Sequence, residues 1–573
     1  MPRKQPAEPA PAPDPLRARA MAGDLEALEV HADALLEAGD PRGELIRLQL
    51  ELAKRPDGDP ARMELELAIS LLFIRHGERF TAESSLDSSH AQCRVSYGYG
   101  YPYRIELAGV RWNQIATIAR KLGDRAASAQ ELELTGKLDW ARIPALLDAL
   151  PRVHVLDLSS SLPRIWIGDA SAALATPAGD RIDELRFHLH DREQDQLAKL
   201  VTAPLRGLRT LDVTAQFASD YASIAASAAA PAITSWKLQA GHGLSPADAR
   251  VMLSATGRRT EPLRDVDLWS HALDETTADM IADLPARYRS VRLRCRTPAS
   301  AIAKLLANDR TRELEAFETR VAPSDPPAVV DTPIVDLELG GLAAELAVLA
   351  AAIRAPRLRR LTLDASSTAS DGLAAVFDSP WLDTVEHLRV RPAEPWLAAV
   401  TRTTARASRL DVMTTSTLPP SAVELIGWSG LSNVRVFVTG TALSAEALHR
   451  LLSNPALDSL VTAEVKIAPG ALAELASWPV PRELRYLSLD GTLSQRDVET
   501  LARWPGARQL VTLSLGFQFE LSVDAAKLIA DPARFPRLRR FGCIWDRRVR
   551  SQVEAIVDAR FGAGDRMRSD VEA

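Results

Sequence analysis

Two histidines alternate along Phe187-His188-Leu189-His190-Asp191, so an extended chain would project both from one face. Paired imidazoles can begin a metal site, but catalytic and structural metals need three or four ligands and no third stands at a suitable spacing. The cysteines Cys93, Cys295 and Cys543 are far apart and share no metal-ligand or disulfide spacing. Phosphate-loop, dinucleotide-binding, nucleophile-elbow, HExxH and CxxC patterns are all missing. No metal, no cofactor and no small-molecule substrate are therefore expected. The chemistry left to the chain is recognition, carried by arginines and aromatics.

Those residues fall at alternating positions in short apolar segments. Trp269, Arg292, Arg294, Arg320, Arg389, Arg391, Arg435 and Phe437, with Met413, are expected to point away from the core. Arg and Trp carry interface hot spots, because a guanidinium forks to carboxylates and an indole offers a large contact area. Asp157, Asp212, Lys237, Asp267, Glu318, Glu338 and Asp411 share the same face, so the competing reading is a set of exposed ion pairs worth little each. A second basic cluster lies between Arg534 and Arg550. Its Arg537, Arg539, Arg540, Arg547, Arg548 and Arg550 face the single acid Asp546. That cluster reads first as a solvated end cap, with binding of an acidic partner or nucleic acid as the alternative. Tyr97, Tyr99, Tyr101 and Tyr103 surround two glycines, which suits either a stacking platform or, preferred here, a loop packing the first helices onto the first strand.

What positions these residues is a repeated unit. Leu484 to Pro505 reads as a strand ending in Leu487-Ser488-Leu489, a turn at Asp490-Gly491, and a helix capped by Ser494 and stopped at Trp504-Pro505. One such unit cannot bury its own apolar face, so it needs neighbours of its kind. The last inward residues of the strands are read as Leu107, Leu134, Leu158, Phe187, Val213, Leu238, Leu268, Leu293, Thr319, Leu339, Leu363, Val390, Val412, Val436, Val465, Leu489, Leu515 and Cys543. Their mean spacing is about 26 residues, inside the leucine-rich-repeat range. Helices are expected at Ile143 to Leu150, Ala299 to Ala307, Leu342 to Ile353, Ser444 to Leu452 and Asp524 to Ile529. Prolines such as Pro356, Pro380, Pro455 and Pro505 stop the chain before the next strand. Strand alternating with helix implies a parallel sheet with helices on one side.

Composition suits this reading. At 573 residues the chain is long for one compact domain, but a solenoid grows by stacking. A hydrophobic fraction of 46% supplies a core, while 69 basic against 75 acidic residues leave a net charge of −6 and no global pull towards nucleic acid or anionic membrane. No apolar run is long enough to span a membrane, and the Pro/Ala-rich start has no apolar stretch of a leader, so a cytoplasmic location is expected.

The run from His31 to Leu52, with Gly39-Asp40-Pro41-Arg42-Gly43-Glu44, and then His76-Gly77-Glu78, resembles the N-terminal repeat-companion domain of bacterial leucine-rich-repeat proteins. The later units resemble the longer, helix-containing leucine-rich repeats. They depart from that family in lacking most of its asparagines after the strand, where Ser160, Asp364 and Asp490 stand instead. The expected architecture is an α/β solenoid of leucine-rich-repeat type, with a parallel sheet on the concave side, helices outside and a small helical N-terminal domain. Its divisions are a Pro/Ala-rich arm at 1–15, a helical companion domain at 16–103, a solenoid of about 18 repeats at 104–550, and a capping helix and tail at 551–573. The expected function is that of a non-catalytic scaffold binding a protein partner on the concave face. The resemblance also raises a ubiquitin-ligase type of enzyme, disfavoured because no cysteine lies in a separate helical domain.

Overall fold

A computed structural model describes residues 24–55, 92–98, 101–126, 128–159, 161–167, 174–188, 207–215, 233–244, 263–272, 286–365, 379–391, 407–412, 431–516, 520–542, 544–545 and 550–561, with isolated positions between. The arm at 1–15, Met413, Cys543, Arg547, Arg548 and His190 lie outside the described residues.

Apolar residues at every second position commit each unit to a strand, and the strands find partners one repeat away. Among the described residues they form a sheet of 20 strands. Tyr101–Ala108 pairs in parallel with Glu131–Asp139, and each repeat then adds its strand to the previous one until Arg540–Gly542. Gln92–Gly98 is antiparallel to Tyr101–Ala108 and covers the first edge as a hairpin. The fold is therefore a mixed α/β repeat solenoid.

The register places Leu293, Thr319, Leu339, Leu363, Val390 and Val412 opposite one another in succession. The next inward residue is Thr439, not Val436: Val412 lies opposite Thr439, and Thr439 opposite Val465. Phe437 and Thr439 are buried and alternate with Val436 and Val438 on the other face. The slip has a simple origin. A polar residue occupies an inward position, and Val436 offered an apolar residue nearby. Spacing carried the correct signal, because Val412 to Thr439 and Thr439 to Val465 are 27 and 26 residues, whereas Val436 leaves intervals of 24 and 29.

Helices lie between the strands and send their apolar stripes into one core cluster that runs from Ile105 to Phe561. Examples are Ile115–Ala126, Ile143–Ala149, Ala299–Leu306, Ala343–Ala352, Ala445–Ser453, Gln495–Arg503 and Val523–Ala530. Gln495–Arg503 shows how one is set. The Ser494 hydroxyl accepts from the Asp497 amide while Asp497 accepts from the Ser494 amide at 2.8 Å, a reciprocal cap that fixes its first turn. Pro380, Pro455 and Pro505 do more than stop the chain, since each opens a short 3-10 turn leading to the next strand. Arg550–Phe561 packs Val553, Val557 and Phe561 onto the last repeat.

In place of an asparagine ladder, the repeats are tied by side chains that follow the helices. Trp381 Nε1 donates to the Ile353 carbonyl at 2.6 Å, Asn454 Nδ2 to that of Ile426 at 2.8 Å, and Trp504 Nε1 to that of Trp478 at 3.2 Å. Each bond reaches back about one repeat and gives a main-chain carbonyl there a side-chain donor. Gly491 ends its strand at φ 136°, and a Cβ there would approach the Ile467 carbonyl oxygen to 2.4 Å. Gly491→Ala is therefore expected to cost about 1–3 kcal/mol, read as a lower urea midpoint with the spectrum of the native fold retained.

At the N-terminus, Leu25–Glu37 and Pro41–Lys54 pack against each other, capped by Asp24 and Asp40. Tyr101 joins their core with Ala27, Leu28, Ala32, Ile46 and Leu50, and its hydroxyl meets His31 Nε2 at 2.6 Å. At Tyr101 the tyrosine-rich segment thus serves packing: it seats the helices on the first strand pair.

Candidate functional site

The side chains that alternate with the inward leucines stand on the face of the sheet away from the helices. Neighbouring strands are about 4.8 Å apart, so charges at equivalent positions of successive repeats come into contact although about 26 residues separate them. One row reads Glu106, Glu133, Asp157, Arg186, Asp212, Lys237, Asp267, Arg292, Glu318 and Glu338, an alternation of sign over most of its length.

Three ion clusters result. In the first repeats, Arg104 and Arg186 clamp the buried carboxylates Glu131, Glu133 and Asp157. Arg104 lies 3.1 Å from Glu131 and bonds Glu133, while Arg186 lies 3.0 Å from Glu131 and 3.5 Å from Asp157. Of these five residues only Asp157 was picked out by sequence. The others carried a usable signal, the strand alternation of Arg104-Ile105-Glu106-Leu107 and Glu131-Leu132-Glu133-Leu134.

The middle cluster contains the arginines singled out by sequence. Arg294 lies 3.4 Å from both Asp267 and Glu318, and Arg292 lies 3.8 Å from Glu318. Burial raises the pKa values of Asp212, Asp265, Asp267 and Glu318, and the neighbouring cations recover only part of that cost. A groove of about 480 Å³ opens beside this cluster, with Lys237, Asp265, Asp267, Arg289 and Arg292 in its lining. Small residues at one row, Thr210, Ser235, Ser290 and Ala316, leave the space for it.

The third cluster centres on Asp411, which is 1% exposed. His387 Nε2 lies 3.1 Å away, Arg389 donates at 3.2 Å and Arg409 at 2.9 Å. Burial pushes this carboxyl up, but the hydrogen bonds and charges of His387 and Arg409 outweigh it and hold the pKa at about 2.

The remaining sequence-selected residues are scattered. Arg320 is exposed and lies over Gly340, where a Cβ would approach its Cγ to 2.9 Å. Arg435 is exposed beside its strand, whereas Phe437 is buried in the core at 1% exposure and is not part of the open face. The one-residue alternation explains the correction, since Phe437 lies opposite the inward Leu410. The backbones of Trp269 and Arg391 occupy sheet strands opposite Arg294 and Asp364, and their side chains lie outside the described residues. Of the C-terminal cluster, Arg537 and Arg539 are exposed, and the side chains of Arg540 and Arg550 lie outside the description. His188 closes a strand opposite Thr214 and its side chain is likewise outside it.

No protein-family model and no curated protein matches this sequence. Among solved structures, a chain of the yeast Rad7 and Elc1 complex is similar at 12% identity and a TM-score of 0.36, over 66% of this chain and 88% of that one. A protein from Bacteroides fragilis is similar at 13% identity and a TM-score of 0.28, over 54% and 77%. The Toll–Spätzle complex of Drosophila contains a chain similar at 12% identity and a TM-score of 0.30, over 81% and 66%. No helix among the described residues is long and apolar enough to cross a membrane.

Proposed function

We propose that this chain is a non-catalytic scaffold of leucine-rich-repeat type, of the bacterial kind with a helical companion domain, working in the cytoplasm. Its work is to bind a protein partner across the open face of the sheet. The observation that carries this reading is the row of outward charged side chains held in register from repeat to repeat and opening into a groove at Lys237, Asp267 and Arg292. Alternating signs suit a protein surface, which offers both charges at close quarters, better than a polyanion, which offers one. The two described thiols also fit a non-catalytic role. Burial and the nearby Glu106 push Cys93 up to about 11, far from a thiolate at neutral pH, and Cys295 is buried.

Affinity would come from a few anchors and not from the whole area. Trp269→Ala, Arg292→Ala and Arg435→Ala combined should reduce at least tenfold the recovery of proteins captured from native extract, quantified by mass spectrometry, with the thermal melt unchanged. Equal capture by this variant would move the partner off the open face.

A further inference from the structure

The strand Ala286–Pro298 presents Arg287, Arg289, Arg292, Arg294 and Arg296 on its outward side, alternating with buried residues over most of its length. These arginines are not equivalent. Arg289 lies 2.9 Å from Glu315, and Arg292 and Arg294 reach Glu318 and Asp267, so those three are engaged within the fold. Arg296 is different. Its register partner on the next strand is Arg320, both are exposed, and neither has a carboxylate within 4.0 Å among the described residues. Like charges at paired positions of adjacent strands repel, whereas in the three clusters described above each arginine stands beside an acid.

The neighbouring position keeps the pair open. The next residue of this row is Gly340, whose missing side chain leaves room for the Arg320 stem. Leu342, two residues further on, is 39% exposed and adds an apolar contact at the same end of the strands. Each guanidinium offers a planar fork of N–H donors that a carboxylate accepts in a bidentate manner, so neighbouring arginines suit a run of carboxylates.

We infer that Arg296 and Arg320 form a docking point for the carboxylates of an acidic peptide segment in a protein partner. This rests on the protein-binding reading above and names the chemistry of the partner. The bound segment would neutralise two adjacent cations that have no acid beside them among the described residues, so binding would weaken as salt screens the attraction.

The test uses the full chain and a fluorescent peptide of eight glutamates, followed by anisotropy at low salt. Wild type should bind, Arg296→Ala/Arg320→Ala should bind at least tenfold more weakly, and Arg287→Ala should stay within twofold of wild type. Arg287 is the control because it is exposed on the same strand but stands roughly 30 Å away at 3.3 Å per residue. No binding by wild type, equal binding by the double variant, or an equal loss in Arg287→Ala would each overturn the proposal. If the peptide result fails while the Trp269, Arg292 and Arg435 variant still loses its captured partner, only this docking point falls and the binding face stands.

Discussion

Replacing Asp411 by alanine should lower the unfolding free energy of the repeats around it by about 3–5 kcal/mol, the range seen when one partner of a buried ion cluster is removed. The size follows from what stays behind. His387, Arg389 and Arg409 converge on one carboxylate that is 1% exposed, and without it the charges face one another with their hydrogen bonds lost. Asp411→Asn should be nearly as costly, since it keeps the shape but not the charge. The readout is hydrogen exchange across residues 387–467 together with the urea midpoint. Unchanged protection in that region would show that the three side chains are not held by Asp411.

The same cluster sets an acid limit. A carboxyl with a folded pKa of about 2, against an ordinary value of 3.8, stabilises the fold fully above 3.8 and loses that contribution as pH falls towards 2. The central repeats behave in the opposite sense. Burial raises the pKa values of Asp212, Asp265, Asp267 and Glu318, so their ionised forms are a burden at neutral pH. Their protonation, which begins at a higher pH than that of an ordinary carboxyl, relieves it. On acidification from pH 7, protection should therefore rise first around residues 210–320 and fall below pH 3.8 around residues 387–467.

The second large effect is expected at Phe437. Phe437→Ala should cost about 3–5 kcal/mol as a buried aromatic leaves a cavity among Leu410, Ala463 and their neighbours. Partner capture by any protein that remains folded should be unchanged, because this ring does not reach the open face. An opposite pattern, with stability intact and capture lost, would mean that the strand Val436–Leu443 is shifted by one residue.

The architecture was legible because its signal is periodic and local. Leucines at alternate positions, a capping serine and a proline stop recur within about 26 residues, and each is a property of one unit. Reading failed at Thr439, where a hydroxyl sits at an inward position and Val436 drew the assignment three residues early. The open face was only half legible. Alternation shows that Arg294 points outward, but its engagement with Asp267 and Glu318 depends on the register between strands from three repeats. The isolation of Arg296 and Arg320 was hidden for the same reason, together with the two-residue irregularity after Leu293 that brings them opposite each other.

Each strand of the main ladder finds its neighbour in the repeat just completed, so no pairing waits for a distant part of the chain. Such a molecule can be laid down in the order of its synthesis. The hairpin of Gln92–Gly98 and Tyr101–Ala108 closes one edge before the next strand exists, and every later strand lands on a template already in place. The growing edge is then one strand wide at each step, and Arg550–Phe561 packs onto the core beside Arg540–Gly542. Until that helix docks, the edge of Arg540–Gly542 stands open, which makes this a step exposed to aggregation.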